Sequence, residues 1–203
     1  MFATCQASLF DADDPGLGPL AGSMTRRQLG AGAWIDHRPG WVGGAAELFA
    51  HLAKSVPWHS DRRVMYDRVV DVPRLLHFYD ERAALPHPLL DQARADLSEY
   101  YRTELGEPFT TAGLCYYRDG TDSVAWHGDT IGRSRTEDTM VAIVSLGAAR
   151  ALLLRPKGGA AGRTVRYELG HGDLLVMGGS CQRTWEHAVP KTARPVGDRK
   201  SVV

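Results

Sequence analysis

Cysteine is scarce. Cys5, Cys115 and Cys181 are the three cysteines in 203 residues, and none forms a CxxC pair. That excludes a disulfide framework and a thiolate-rich structural zinc site, and it fits a reducing cytoplasm. Net charge is lacking too, because 24 acidic residues balance 24 basic ones. Overall charge therefore gives no support to nucleic-acid binding, which would need a local basic face. No apolar run reaches the roughly 20 residues of a membrane helix. The start, Met1 to Cys5, has no basic lead, and Asp11, Asp13 and Asp14 follow it, so neither a signal peptide nor a membrane span is expected. There is no internal repeat. The length suits one domain of the usual ~50–250 residues, and the expectation is a single cytoplasmic, monomeric domain.

What the chain does contain is a His-x-Asp pair, His127 and Asp129 around Gly128, with a further histidine, His187, much later in Trp185-Glu186-His187. In an extended strand alternate side chains share a face, so His127 and Asp129 can address one ion while Gly128 points away. Two imidazoles and a carboxylate suit Fe(II) held by one face, with open positions for a co-substrate and O2. That donor set points to an oxygenase. A second copy of the tripeptide, His171-Gly172-Asp173, lies close to His187. Its flanking glycines and the apolar run Leu174 to Met177 also read as a turn entering a strand. The first copy is preferred as the metal pair, with the second as its rival.

The Gly, Pro and Asp content of residues 1–24 predicts a loose arm, and the periodicity beyond it predicts a helical N-terminal half and a strand-rich remainder. Leu48, Phe49, Leu52 and Val56 make a helical stripe over Ala45 to Ser55. A second helix is expected from about Leu89 to Leu105, with Pro88 near its first turn and Leu89, Leu90, Ala93, Leu97, Tyr101 and Leu105 buried. From Thr111 on, short apolar runs alternate with turns: Leu114–Tyr117, Met140–Leu146, Ala151–Leu154, Thr164–Leu169, Leu174–Met177, Trp185–Val189 and Ser201–Val203. The fold class expected is α+β, mainly β, a jelly roll flanked by N-terminal helices.

Several segments in order then carry a family resemblance: Cys115-Tyr116-Tyr117-Arg118-Asp119-Gly120, His127-Gly128-Asp129, Val144-Ser145-Leu146-Gly147 with Arg150, Gly172 to Gly179, and Trp185-Glu186-His187-Ala188-Val189-Pro190. Together they resemble the AlkB family, over roughly residues 58–203. Val72-Pro73-Arg74 with Phe78-Tyr79-Asp80 is similar to the lid region of its duplex-acting branch. The resemblance implies a double-stranded β-helix dioxygenase domain over 25–203, with 58–80 as substrate lid, using Fe(II), 2-oxoglutarate and O2. It implies oxidation of a methyl on a base nitrogen, of the N1-methyladenine or N3-methylcytosine type, in alkylated DNA, with release of formaldehyde. RNA or protein substrates, or a catalytically weak reader of modified nucleic acid, are the alternatives.

By position, the resemblance implies His127, Asp129 and His187 as metal ligands, Tyr117 as a tyrosine on the co-substrate and Arg199 as the arginine that grips its distal carboxylate. A guanidinium fork matches a carboxylate through two parallel hydrogen bonds. Arg194 competes with Arg199 but precedes Pro195 in a loop-like stretch. Cys115 stands where the family has an asparagine, and a thiol is a poor replacement for an amide donor. The family's last strand carries a further arginine beyond the point where this sequence stops, Val203. Thr130 to Arg133 lacks the acidic residue that the family often uses to read the exocyclic amine. Candidate substrate-binding residues are Trp58, Tyr66, Phe78 and Tyr79 for stacking on a flipped base, and Arg74 and Arg133 for phosphates. Interleaved acids make a solvated mixed-charge face an equal reading for the arginines, and Trp58 reads equally as a core anchor.

Overall fold

The computed structural model describes residues 14–65, 68–129, 135–159, 164–193 and 196–203, with side chains described except at 61–72, 105 and 159. Two antiparallel sheets face each other. The strands of the larger sheet are β2 (Thr25–Gly30), β3 (Ala33–Arg38), β5 (His59–Met65), β6 (Arg68–Tyr79), β7 (Ala112–Tyr117), β9 (Val141–Gly147), β12 (Asp173–Gly179) and β14 (Arg199–Val202), in the order β2-β3-β12-β9-β14-β7-β6-β5. The smaller sheet joins β8 (Val124–His127), β10 (Arg150–Pro156), β11 (Val165–Leu169) and β13 (Trp185–Val189), in the order β11-β10-β13-β8. A short pair, β1 (Gly16–Leu17) with β4 (Val42–Gly43), lies outside them.

The apolar run Leu174 to Met177 shows why the sequence builds two cores. On β12, Leu174 and Val176 join one buried cluster with the helices, while Leu175 and Met177 join another between the sheets. A strand buried on both faces has no polar alternation to show, so it reads as a continuous hydrophobic run. The helix side takes α1 (Ala45–Ser55), through Ala45, Leu48 and Leu52, and α2 (Pro88–Tyr100), through Leu89, Leu90, Ala93 and Leu97. Each such side chain contributes about 1.5–3 kcal/mol when fully buried. Pro88 opens α2, and the His87 imidazole caps it by accepting from the Leu89 N–H at 3.1 Å.

The helix predicted to run on to Leu105 breaks at Tyr101 (φ −97°, ψ 11°) and resumes as the single turn α3 (Arg102–Leu105). Tyr101 turns inward instead, and its hydroxyl donates to the buried Asp36 carboxylate at 2.8 Å. The helical N-terminal half is the main correction. Residues 25–38 form a hairpin whose Gly30-Ala31-Gly32 turn takes φ of 99°, 52° and 80°, and residues 59–65 and 68–79 form the two strands that extend the large sheet beyond β7. Gly-rich turn chemistry outweighed the helical reading at residues 25–38. Of the expected N-terminal arm, the described part is tied down: β1 pairs with β4, and Leu20 is buried. No helix among the described residues is long and apolar enough to cross a membrane.

Candidate metal and co-substrate site

The triad is assembled by one pair of neighbouring strands. β13 lies beside β8 with His187 directly opposite His127, which brings the two rings to 4.2 Å between centroids. Trp185 and Val189 point between the sheets, so His187, in phase with them, points there too. Asp129 follows two residues after His127, just past the end of β8. Its carboxylate oxygens lie 3.7 Å from Nε2 of His127 and 3.7 Å from Nε2 of His187. One ligand atom from each residue falls within 4.8 Å of the others, and this is the only such three-residue cluster found among the described residues.

The electrostatics suit a cation. The His127 Nδ1 lies 2.9 Å from the Ala125 carbonyl; donating there leaves its Nε2 lone pair facing the centre, as metal-bound imidazoles usually have it. Burial, the neighbouring His127 and the Lys157 ammonium push His187 down to about 3, so its ring is neutral. Burial pushes the Asp129 carboxyl up, opposed by His127 and Lys157. The neutral His187 ring and the His127 imidazole converge on a carboxylate whose charge burial disfavours, a donor set that a divalent ion completes.

Across the gap, on the inner face of the large sheet, Arg199 stands directly opposite Tyr117. Arg199 is 1% exposed, and its Nε and Nη1 have no hydrogen-bond partner among the described residues. Burial lowers its pKa, and a buried cation left unpaired is expensive. Tyr117 is buried as well, with its hydroxyl pushed well up by burial first and by the Cys115 thiol second, against the pull of Arg199, Arg74 and Arg150. Cys115 sits opposite Ser201 on the same inner face, one step along the ladder. An anion with a carboxylate end fits here, since the guanidinium carbon of Arg199 is 5.7 Å from the Tyr117 ring and carries two idle donors.

Of the residues named for substrate, Phe78 is 63% exposed and stands opposite Gly113. It therefore faces the same side as Cys115 and Tyr117. Arg74 sits one position beyond the paired Leu75 and Tyr116, on that side, with its Nη1 donating to the Ser123 carbonyl at 3.2 Å and its Nε without a partner among the described residues. Trp58 and Tyr79 lie on the opposite, helix-covered side. Trp58 packs against Tyr116 at 5.3 Å and donates its indole N–H to the Leu52 carbonyl, and Tyr79 belongs to the helix-side core. Their rings are occupied there, which favours the core-anchor reading of Trp58 and sets Tyr79 away from the triad's side. Tyr66 and Arg133, like the competing Arg194, lie outside the described residues.

The rival tripeptide is a turn. Asp173 accepts from the N–H groups of Gly40 and Gly170, at 2.9 and 2.8 Å, and lies 3.6 Å from His37. His171 accepts from the Gly147 N–H at 2.8 Å. Gly172, at φ 81°, leaves no space for a Cβ, which would meet the Val42 carbonyl at 2.5 Å. Sequence reasoning gave no role to Arg150, yet its guanidinium donates to the carbonyls of Asp119, Asp122 and Pro190 at 2.8–2.9 Å. That ties the loop leading into β8 to the end of β13. It also passed over Gln182 and Lys157, behind the triad. Their only sequence signal was proximity to His187 and to the end of β10.

Comparison with known proteins agrees with this geometry. Residues 42–201 match the model of the 2OG-Fe(II) oxygenase superfamily. The chain is 30% identical over 172 residues to alpha-ketoglutarate-dependent dioxygenase alkB homolog 3 of Bos taurus, covering 75% of this chain and 59% of the relative. It is 33% identical over 124 residues to DNA oxidative demethylase ALKBH2 of Arabidopsis thaliana, covering 51% and 39%. The chain thus spans little more than half the length of the alkB homolog 3 proteins it matches. Among solved structures, OsALKBH1 superposes with a TM-score of 0.58 at 14% identity over 88% of this chain and 98% of that one. A prolyl hydroxylase from Trichoplax adhaerens superposes with 0.59 at 12% identity, over 83% and 80%. At such identities these two structures bear on the fold alone.

Proposed function

The chain belongs to the 2OG-Fe(II) oxygenase superfamily and is homologous to AlkB homologs, and from that premise we propose that this dioxygenase oxidatively removes methyl groups from base nitrogens of alkylated DNA. The observation that carries the reading is the pairing of the His127-Asp129-His187 cluster on one sheet with the buried, under-bonded Arg199 guanidinium on the sheet that faces it. A divalent metal fits the first and a dicarboxylate the second. Bound together with O2, iron and 2-oxoglutarate supply the oxidation of a C–H bond coupled to loss of CO2 from the co-substrate. In this reading His127, Asp129 and His187 hold the metal, Arg199 binds the distal carboxylate and Tyr117 donates its hydroxyl hydrogen bond beside it. Cys115 borders the same space without offering an amide.

Burial of Arg199 and Tyr117 between the two sheets keeps water from the co-substrate end and strengthens each charge-assisted bond there. Phe78 is the exposed aromatic on the triad's side of the large sheet, where a flipped base needs a stacking partner, and Arg74 stands on the same side for an anionic contact. The substrate class is supported by the relatives, of which the ALKBH2 proteins are named DNA oxidative demethylases. The test is formaldehyde release from a DNA oligonucleotide carrying one N1-methyladenine or N3-methylcytosine, with Fe(II), ascorbate and 2-oxoglutarate. Release supports demethylation of DNA. Release only from the matching RNA moves the substrate, and tight oligonucleotide binding without formaldehyde or CO2 would replace the enzyme reading by a reader of modified bases.

A further inference from the structure

The weak point of the triad is Asp129. β8 ends at His127, so no strand ladder holds the next two residues, and yet the carboxylate must stay within 4 Å of both imidazoles. The backbone is held from behind by α4 (Cys181–Thr184), the single turn that precedes β13. The Asp129 N–H donates to the side-chain oxygen of Gln182 at 2.9 Å. Gln182 is 1% exposed, and its amide nitrogen faces the Met177 sulfur at 3.9 Å. Its own backbone carbonyl accepts from the Lys157 ammonium at 2.5 Å.

Gly128 lies flush against this contact. A Cβ there would come within 2.8 Å of both the Gln182 carbonyl and the Lys157 nitrogen. The turn is itself anchored, since Ser180 donates its hydroxyl to the Ala31 carbonyl at 2.6 Å and accepts the N–H groups of Arg183 and Thr184 at 2.9 Å each. α4 runs directly into Trp185 and His187. One rigid piece of chain therefore carries one ligand and grips the backbone of another.

We propose that Gln182 is a positioning residue of the metal centre: through its hydrogen bond to the Asp129 N–H, and with Lys157 clamping its carbonyl, it fixes the His127-Gly128-Asp129 segment in register with His187. This rests on the metal reading of the triad. Partners that orient metal ligands from behind typically alter metal affinity by 10–100-fold when removed, and the same range applies here.

The experiment is Mn(II) titration of the full chain, followed by the electron paramagnetic resonance of free Mn(II), alongside thermal unfolding of the metal-free protein. Gln182→Asn keeps an amide but withdraws it by one methylene, and Gln182→Leu removes the acceptor. Both are expected to weaken Mn(II) binding 10–100-fold, while Gln182→Glu, which keeps an oxygen at the right reach, stays within about threefold of the unaltered protein. Gln182→Asn keeps the test open where Gln182→Leu fails to fold. Unaltered Mn(II) affinity in Gln182→Asn overturns the positioning role. So does equal weakening in Gln182→Glu, which would mean that any change at this buried position disturbs the site. Failure of the underlying reading looks different: the unaltered protein would then bind Mn(II) no better than Asp129→Ala does.

Discussion

Replacing Arg199 by Met should change stability and function in opposite directions. In the ligand-free protein the guanidinium is buried, with Nε and Nη1 unpaired among the described residues, and a buried charge carries a penalty of several kcal/mol that pairing offsets only in good geometry. Met fills most of the same volume without charge. Allowing for the packing against Tyr117 that is lost, Arg199→Met should stabilise the ligand-free protein by about 1–3 kcal/mol, roughly 3–10 °C in Tm for a chain of this size. On the proposed role, the same change removes two charge-assisted hydrogen bonds to the co-substrate carboxylate, each worth about 1.5–3 kcal/mol, so the co-substrate KM should rise by about 10²–10⁴-fold. The assay is thermal unfolding with and without 2-oxoglutarate. At a hundredfold excess over Kd the unaltered protein gains about 2.7 kcal/mol, and Arg199→Met gains at most about 0.4 kcal/mol. An Arg199→Met protein that is less stable without ligand, yet still stabilised by 2-oxoglutarate, would refute the reasoning, because the guanidinium would then be a structural group with partners of its own.

Asp129→Ala should abolish turnover and metal binding with little loss of stability, whereas Asp173→Ala should leave Mn(II) binding intact and destabilise by about 2–4 kcal/mol, since it strips two backbone N–H groups of their acceptor; equal loss of metal binding in both would undo the choice between the two tripeptides. Gly128→Ala should weaken metal binding at least tenfold, because its Cβ meets a backbone carbonyl at 2.8 Å and has to displace the segment between two ligands; isothermal titration with Mn(II) checks it. Lys200, enclosed by Phe49, Tyr116 and Asp198, is pushed down from 10.5 to about 8 by burial. Its charge therefore destabilises the fold below pH 8, and that penalty, up to about 3 kcal/mol before the ring contacts offset part of it, fades as pH rises from 8 to 10.5; denaturant unfolding of Lys200→Met against the unaltered protein should show the gap closing over that window, and a gap constant with pH would refute it.

Apart from β8, which the expected apolar runs passed over, the strands of the C-terminal half were legible because each is short, apolar and closed by a turn, and Trp185–Val189 matches its predicted bounds. α1 was legible from its stripe for the same reason, the stripe being the face it buries. What the pattern could not convey was the pairing of residues 25–38 and 59–79 into the large sheet. The evidence for those strands is their partners, β12 for one hairpin and β7 for the other, and such partners lie far along the chain. Helical stripes at 45–56 and 89–101 biased the reading of everything between them.

The site divides along the same line. The convergence of His127, Asp129 and His187 was legible because the donor set of a metal restricts residue type and spacing together, and cross-strand register brings the three together. Gln182 acts through a backbone contact, for which spacing gives no signal. The sequence could not say whether Trp58 and Tyr79 face the core or the site, because which face of a strand an aromatic occupies depends on register. The pair Arg199 and Lys200 shows how sharply that decides a role. Neighbours in sequence and both about 1% exposed, they point to opposite faces of β14. Lys200 meets Phe49 and Tyr116 under the helices, where its charge is a liability that the aromatic rings partly offset. Arg199 faces the gap between the sheets, where its charge has idle donors and the His127-Asp129-His187 cluster facing it. Shifting β14 by one residue would exchange the two cations, and only the guanidinium offers the planar fork that grips a carboxylate.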